Sequence, residues 1–149
     1  MKLVLFDDFR PGVLDGEVVF PIDELLDLDS AAHPQDRIVE VITRFADLRS
    51  SVEALVAGGA RLPVTDIRLR PPLPRPGKII CARANYREGS DREPWPMDAF
   101  LKSPEAVIGP GDTVVLPERL HDVFHHEAEL AVVIGARGAR HVTPDQAAS

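Results

Sequence analysis

The sequence predicts a mixed α/β fold that is mostly β. A small N-terminal α+β domain covers residues 1–70, a proline-rich linker residues 71–78, and a strand-rich segment residues 79–149. Three observations predict it. Apolar residues recur at three- and four-residue steps from Ile38 to Val56, the period of one helix face. Pro71, Pro72, Pro74 and Pro76 crowd into the stretch RPPLPRPGK. Beyond it, short apolar runs are divided by Gly and Pro, which favours strands over helices.

Taken in order, KLVLF (2–6) and EVVF (17–20) read as strands, with Pro11-Gly12 and Asp15-Gly16 as turn signals between them. Ile38, Val41, Ile42, Phe45, Leu48, Val52, Leu55 and Val56 form the helical stripe, and Gly58-Gly59 is its stop. Arg49-Ser50-Ser51 is a candidate break into two helices, and a further short strand is expected around Ile67–Leu69. In the run 70–78, proline fixes φ and removes the ladder donor, so an extended connector is preferred to a recognition ligand. KIICA reads as a strand, GPGD (109–112) as a turn between strands, and GARGAR (135–140) as a hairpin turn; TPDQAA has a weak helical pattern.

The chain has 149 residues, a net charge of −7 and one cysteine. The acidic balance argues against nucleic acid as a partner, since a phosphate backbone selects a basic face. Cys81 cannot form a disulfide framework within the chain and reads as a small core hydrophobe, which suits a reducing cytoplasm. The N-terminal apolar run is too short for a signal peptide, and no run approaches the ~20 apolar residues of a membrane span. A cytoplasmic location without membrane partners is expected.

The chemistry concentrates in HHEAELAVVIG, residues 125–135. From Leu130 to Ile134 every position is apolar, and a buried strand is expected there. The run nevertheless opens with Glu127 and Glu129, which on a strand share one face with Cα atoms roughly 7 Å apart. The bland reading is a solvated strand end. Against it, two carboxylates ~5 Å apart at an effective dielectric of 20 repel by about 3 kcal/mol, and a cation between them removes that cost. Oxygen-only ligands suit Mg²⁺, Mn²⁺ or Ca²⁺. His125 lies on the same face and His121 and His126 lie nearby, but the ligand spacing of a tetrahedral zinc site is missing. Neither GARGAR nor GPGD completes a nucleotide-binding loop. Lys102, among the apolar residues of AFLKS, is either a snorkelling surface lysine or a contact for a substrate anion.

KIICARANY, a proline-bearing loop, AFLKS, VIGPGDTVVLP, HHEAELAVVIG and HVTPDQAA occur in that order. Together they closely resemble the fumarylacetoacetate hydrolase family over residues 74–149, and MKLVLFDDFRPGVLDGEVV is similar to the small N-terminal domain of its longer bacterial members. The resemblance implies that residues 79–149 begin a distorted β-roll, usually assembled as a homodimer. It implies that Glu127 and Glu129 are ligands of Mg²⁺ or a similar ion, and that Tyr86 and Lys102 contact substrate, Lys102 with a catalytic part. The family's substrates are 2-oxo or β-diketo acids. Two features depart from its pattern. Positions that carry a water-activating His/Glu pair in many members are Gly89 and Arg92 here, and the family's third metal-binding carboxylate lies beyond Ser149. The chain alone is therefore expected to be an incomplete enzyme.

The expected function is divalent-metal-dependent cleavage of a C–C bond in an acylpyruvate-like 2-oxo acid. An isomerase, tautomerase or decarboxylase of the same family is the alternative, since metal-assisted enolate chemistry would survive loss of the His/Glu pair. A non-catalytic β-rich binding module is the rival from another class.

Overall fold

The computed structural model describes residues 1–27, 33–85, 93, 96, 98–118, 123–135 and 138–147. Among these residues there are seven strands: β1 (Lys2–Phe6), β2 (Arg10–Asp15), β3 (Val18–Pro21), β4 (Leu62–Pro63), β5 (Leu69–Arg70), β6 (Ile79–Arg83) and β7 (Asp98–Lys102). A long helix, α1 (Pro34–Gly58), crosses between β3 and β4, and a short one, α2 (Pro144–Ala147), lies near the C-terminus. The first five strands form one antiparallel sheet in the order β4-β3-β2-β1-β5, and β6 pairs with β7 in a separate two-stranded sheet.

Alternation along the strands explains the core. Leu5 and Val13 point to one sheet face and pack with Ile22, Leu26, Ile38, Val41, Leu48 and Val52 in a single buried cluster. The four helical members recur at the spacing of one helix face, so α1 presents a stripe to the sheet. His33 caps the helix by accepting the Gln35 N–H on Nδ1 at 3.1 Å, and Pro34 occupies the first turn, where its missing N–H costs nothing. Gly59 N–H closes the other end on Leu55 O at 2.6 Å. The proposed break at Arg49-Ser50-Ser51 does not occur; α1 runs unbroken through it, held by burial of Leu48 and Val52 on either side.

Pro11-Gly12 is not a turn but lies inside β2, opposite Leu5 and Val4. The chain reverses earlier, where Asp7 and Phe9 take positive φ values of 47° and 58°. Pro11 still contributes its carbonyl, which accepts the Ile22 N–H at 3.0 Å. Gly12 is needed because the sheets' side chains close over it: a Cβ there would come within 2.7 Å of Val19 Cγ1 and 3.0 Å of Phe6 Cε1. On that same face the Arg10 guanidinium covers the Phe6 ring at 5.1 Å, and its Nη2 donates to both carboxylate oxygens of Asp23. The Asp15-Gly16 signal is met, since Gly16 (φ 58°) turns β2 into β3.

Residues 71–78 contain neither helix nor strand. In the β6–β7 hairpin, Cys81 pairs with Phe100 and is buried, as expected of a lone core cysteine. The short helical pattern at TPDQAA forms α2.

The expected strand at 130–134 does not form. Leu130, Val132, Val133 and Ile134 are 86%, 78%, 52% and 63% exposed, in a segment without a ladder. Val114, Val115 and Leu116, after the GPGD turn, are likewise exposed and unpaired. Hydrophobicity encodes the tendency of these runs to be buried, but a strand exists only where another segment supplies the facing donors and acceptors. Among the described residues none does. No helix among them is long and apolar enough to cross a membrane.

Two outcomes follow. Leu5→Ala should cost about 2–5 kcal/mol in urea denaturation, whereas Leu130→Ala should stay within about 0.5 kcal/mol. Equal costs would mean that 130–134 is buried in solution. The exposed apolar runs should also make this chain self-associate, seen as a concentration-dependent shift in size-exclusion chromatography with light scattering. A monodisperse monomer across the concentration range would contradict that reading.

Candidate functional site

The β6–β7 hairpin carries Lys102 at its end, opposite Ile79. Alternation puts Lys102 on the same face as Phe100, and the ammonium lies 5.8 Å from the Phe100 ring centroid. Both side chains are exposed, so the cation–π contact is a weak tether that leaves the ammonium in solvent. The hairpin's ion pair, Arg83 with Asp98, meets at 3.6 Å across the connected end of the two strands and is also exposed. Exposed pairs of this kind contribute little.

Glu127 and Glu129 lie in the segment 123–135, which has no helix or ladder, and both are exposed. Neither forms an ion pair among the described residues. Their donor set, carboxylate oxygens alone, fits a hard divalent ion such as Mg²⁺ or Mn²⁺. Such an ion takes about six oxygens, and two carboxylates leave positions for water and for a chelating ligand. No group of three or more His, Cys, Asp or Glu side chains among the described residues is arranged to hold a metal. The pair is thus chemically suited to an ion but is not assembled into a closed cage. His125 and His126 flank it and are exposed, without a tetrahedral arrangement.

The expectations on Tyr86, Gly89, Arg92 and His121 lie outside the described residues. The structure places Lys102 on a strand end and the two glutamates on an unpaired segment, and it records no contact between them. Sequence pattern located these residues by type and spacing. What it overlooked is the polar contact of Asp112, in the GPGD turn, with Arg68 at 2.6 Å; forty-odd residues separate the two, and no local pattern announces the pairing.

Comparison with known proteins places the chain. The family profile for the fumarylacetoacetate (FAA) hydrolase C-terminal domain matches residues 78–149. Maleylpyruvate hydrolase of Aquipseudomonas alcaligenes is 32% identical over 161 aligned residues, covering 95% of this chain and 55% of that protein. Oxaloacetate tautomerase YisK of Bacillus subtilis (strain 168) is 40% identical over 84 residues, covering 52% of this chain and 28% of that protein. The crystal structure of maleylpyruvate hydrolase from Sphingobium sp. SYK-6, in complex with manganese(II) and pyruvate, superimposes with a TM-score of 0.69 at 36% identity. It covers 80% of this chain and 43% of that one. The chain therefore spans about half the length of the maleylpyruvate hydrolases it matches. With a sheet-dominated α/β fold similar to theirs and a family match from Lys78 onward, residues 78–149 belong to the fumarylacetoacetate hydrolase family.

Proposed function

We propose that the whole protein is a divalent-metal-dependent enzyme acting on a small acylpyruvate-like 2-oxo acid, in the cytoplasm and as a homodimer. The single observation that carries this reading is Glu127-x-Glu129, two exposed carboxylates without an ion pair among the described residues, within the segment that matches the family. The similarity to a maleylpyruvate hydrolase that binds manganese(II) and pyruvate supports it.

Glu127 and Glu129 would hold the ion, Mg²⁺ or Mn²⁺. When bound, it supplies Lewis-acid polarisation of the substrate's 2-oxo group. Lys102 would meet the substrate carboxylate: its ammonium is a compact point charge on a flexible stem, anchored at the strand end and free to rotate its donors. Tyr86, as the resemblance implies, would add a hydroxyl donor. Those two contacts orient the substrate so that C3 and the bond beyond it are presented for reaction.

The two candidate reactions ask different things of the chain. Hydrolysis needs a base to take a proton from the attacking water. Gly89 has no side chain, and Arg92 cannot deprotonate in a protein, so neither position supplies one. Tautomerisation only moves a proton between C3 and the 2-oxo oxygen and needs no activated water. C–C hydrolysis follows from the similarity to maleylpyruvate hydrolases; loss of the His/Glu pair, with the similarity to an oxaloacetate tautomerase, favours tautomerisation as the second reading.

Three measurements follow. Manganese(II) binding, read by electron paramagnetic resonance, should weaken at least about tenfold, or 1.4 kcal/mol, in Glu127→Gln and again in Glu129→Gln. Affinity unchanged in both variants would remove the metal assignment. Lys102→Met should raise the KM for 2-oxo acids in the whole protein while leaving manganese affinity unchanged; an unaltered KM would make Lys102 an ordinary surface lysine. On an acylpyruvate panel, C3 proton exchange should outrun hydrolysis, and Gly89→His with Arg92→Glu should raise hydrolysis. Efficient hydrolysis without those changes would mean that another residue acts as the base.

A further inference from the structure

Asp112 serves two partners at once. Its Oδ2 accepts the Gly109 N–H at 2.8 Å, closing the GPGD turn, while Oδ1 accepts the Arg68 guanidinium at 2.6 Å. Asp112 N–H also donates to Gly109 O at 3.1 Å, so the turn is tied on both sides. Arg68 is itself fixed to the β1–β2 turn: its N–H donates to Asp7 Oδ1 at 2.9 Å, and its carbonyl accepts the Asp7 N–H at 2.8 Å. Gly109 lies directly against the connector. A Cβ on it would come within 2.9 Å of Pro71 Cδ and 3.1 Å of Pro71 N, so only glycine permits this approach. A second ion pair, Arg75 with Glu105 at 3.4 Å, repeats the attachment further along. Pro104 and Val107 then share one cleft with Phe9, His33 and Pro74.

These contacts join two stretches that are remote in sequence: residues 68–75, leaving the N-terminal sheet, and residues 103–112, leaving β7. We propose that they form a strap, in which the Arg68–Asp112 and Arg75–Glu105 pairs and the Gly109–Pro71 contact seat residues 103–112 on the N-terminal sheet's exit strip. The strap sets the direction in which the chain leaves β7, and with it the start of the run toward Glu127. It does not depend on the proposed function.

Charge makes the strap acid-sensitive. The Gly109 N–H first, and Arg68 second, hold the Asp112 carboxyl below its usual value. The charged groups facing it are Arg68 and Arg70 from the β5 region, with Asp7 behind Arg68. Since the folded value is depressed, the attachment is present above the ordinary carboxylate range and is lost as pH falls through the lower folded value.

Amide hydrogen exchange on the full chain tests the strap. Arg68→Gln and Gly109→Ala, one removing charge and the other adding only a methyl, should each raise exchange across 104–112 by about tenfold while β1–β3 keep their protection. Exchange unchanged in either variant, or loss spread equally through β1–β3, would overturn the proposal. A pH titration of the unaltered chain by nuclear magnetic resonance needs no variant: the Gly109 amide should move with Asp112 below the ordinary carboxylate range. A Gly109 amide that ignores that titration would also overturn it.

Discussion

The contact between one face of the β1–β2–β3 meander and the buried stripe of α1 is what the N-terminal half depends on. Leu5 and Val13 from the sheet and Ile38, Val41, Leu48 and Val52 from the helix are almost wholly removed from water. At about 25 cal/mol per Å² of apolar surface, a cluster of this size is the main favourable term available to so short a chain. The long helix would be marginal without it, because helices in proteins gain most of their stability from tertiary packing. Once α1 is fixed, β4 and β5 are delivered to opposite edges of the sheet, and the connector leaves from the β5 edge. The strap contacts of Arg68 and Arg75 start there.

The same requirement, read in reverse, explains the C-terminal half. β6 and β7 satisfy each other's ladder on one side, and Cys81 is buried opposite Phe100. Past Lys102 the apolar runs at 114–116 and 130–134 find no facing strand among the described residues, so they stay exposed. Glu127 and Glu129 belong to that unpaired stretch. The common face expected of them from strand geometry is therefore fixed by no ladder among the described residues. The metal proposal and the missing strand are one physical problem: pairing 125–134 would both bury the apolar run and fix the two carboxylates relative to each other.

The sequence made some of this legible and hid the rest for identifiable reasons. The α1 stripe was readable because eight apolar residues keep one period, and its stop because Gly58-Gly59 interrupts it. β2 was hidden because Pro11-Gly12 mimics a turn; the packing of Phe6 and Val19 over Gly12, which makes glycine obligatory within the strand, is a tertiary fact. The continuous helix through Arg49-Ser50-Ser51 was likewise decided by burial of Leu48 and Val52 within the stripe. Leu130–Ile134 is exposed rather than a buried strand among the described residues because hydrophobicity reports a preference, while burial requires a partner. Of the candidate site, residue types and their order were legible through five motifs, and the family match bears out that resemblance. The arrangement proposed for Lys102 and the two glutamates was not, since the described residues record no contact between them.

The most direct measurement is an anomalous-scattering map from crystals of the whole protein grown with manganese(II). The account predicts a manganese peak within about 2.0–2.3 Å of carboxylate oxygens from both Glu127 and Glu129, with residues 130–134 paired in a sheet. A manganese peak elsewhere, with both carboxylates turned to solvent, would contradict it.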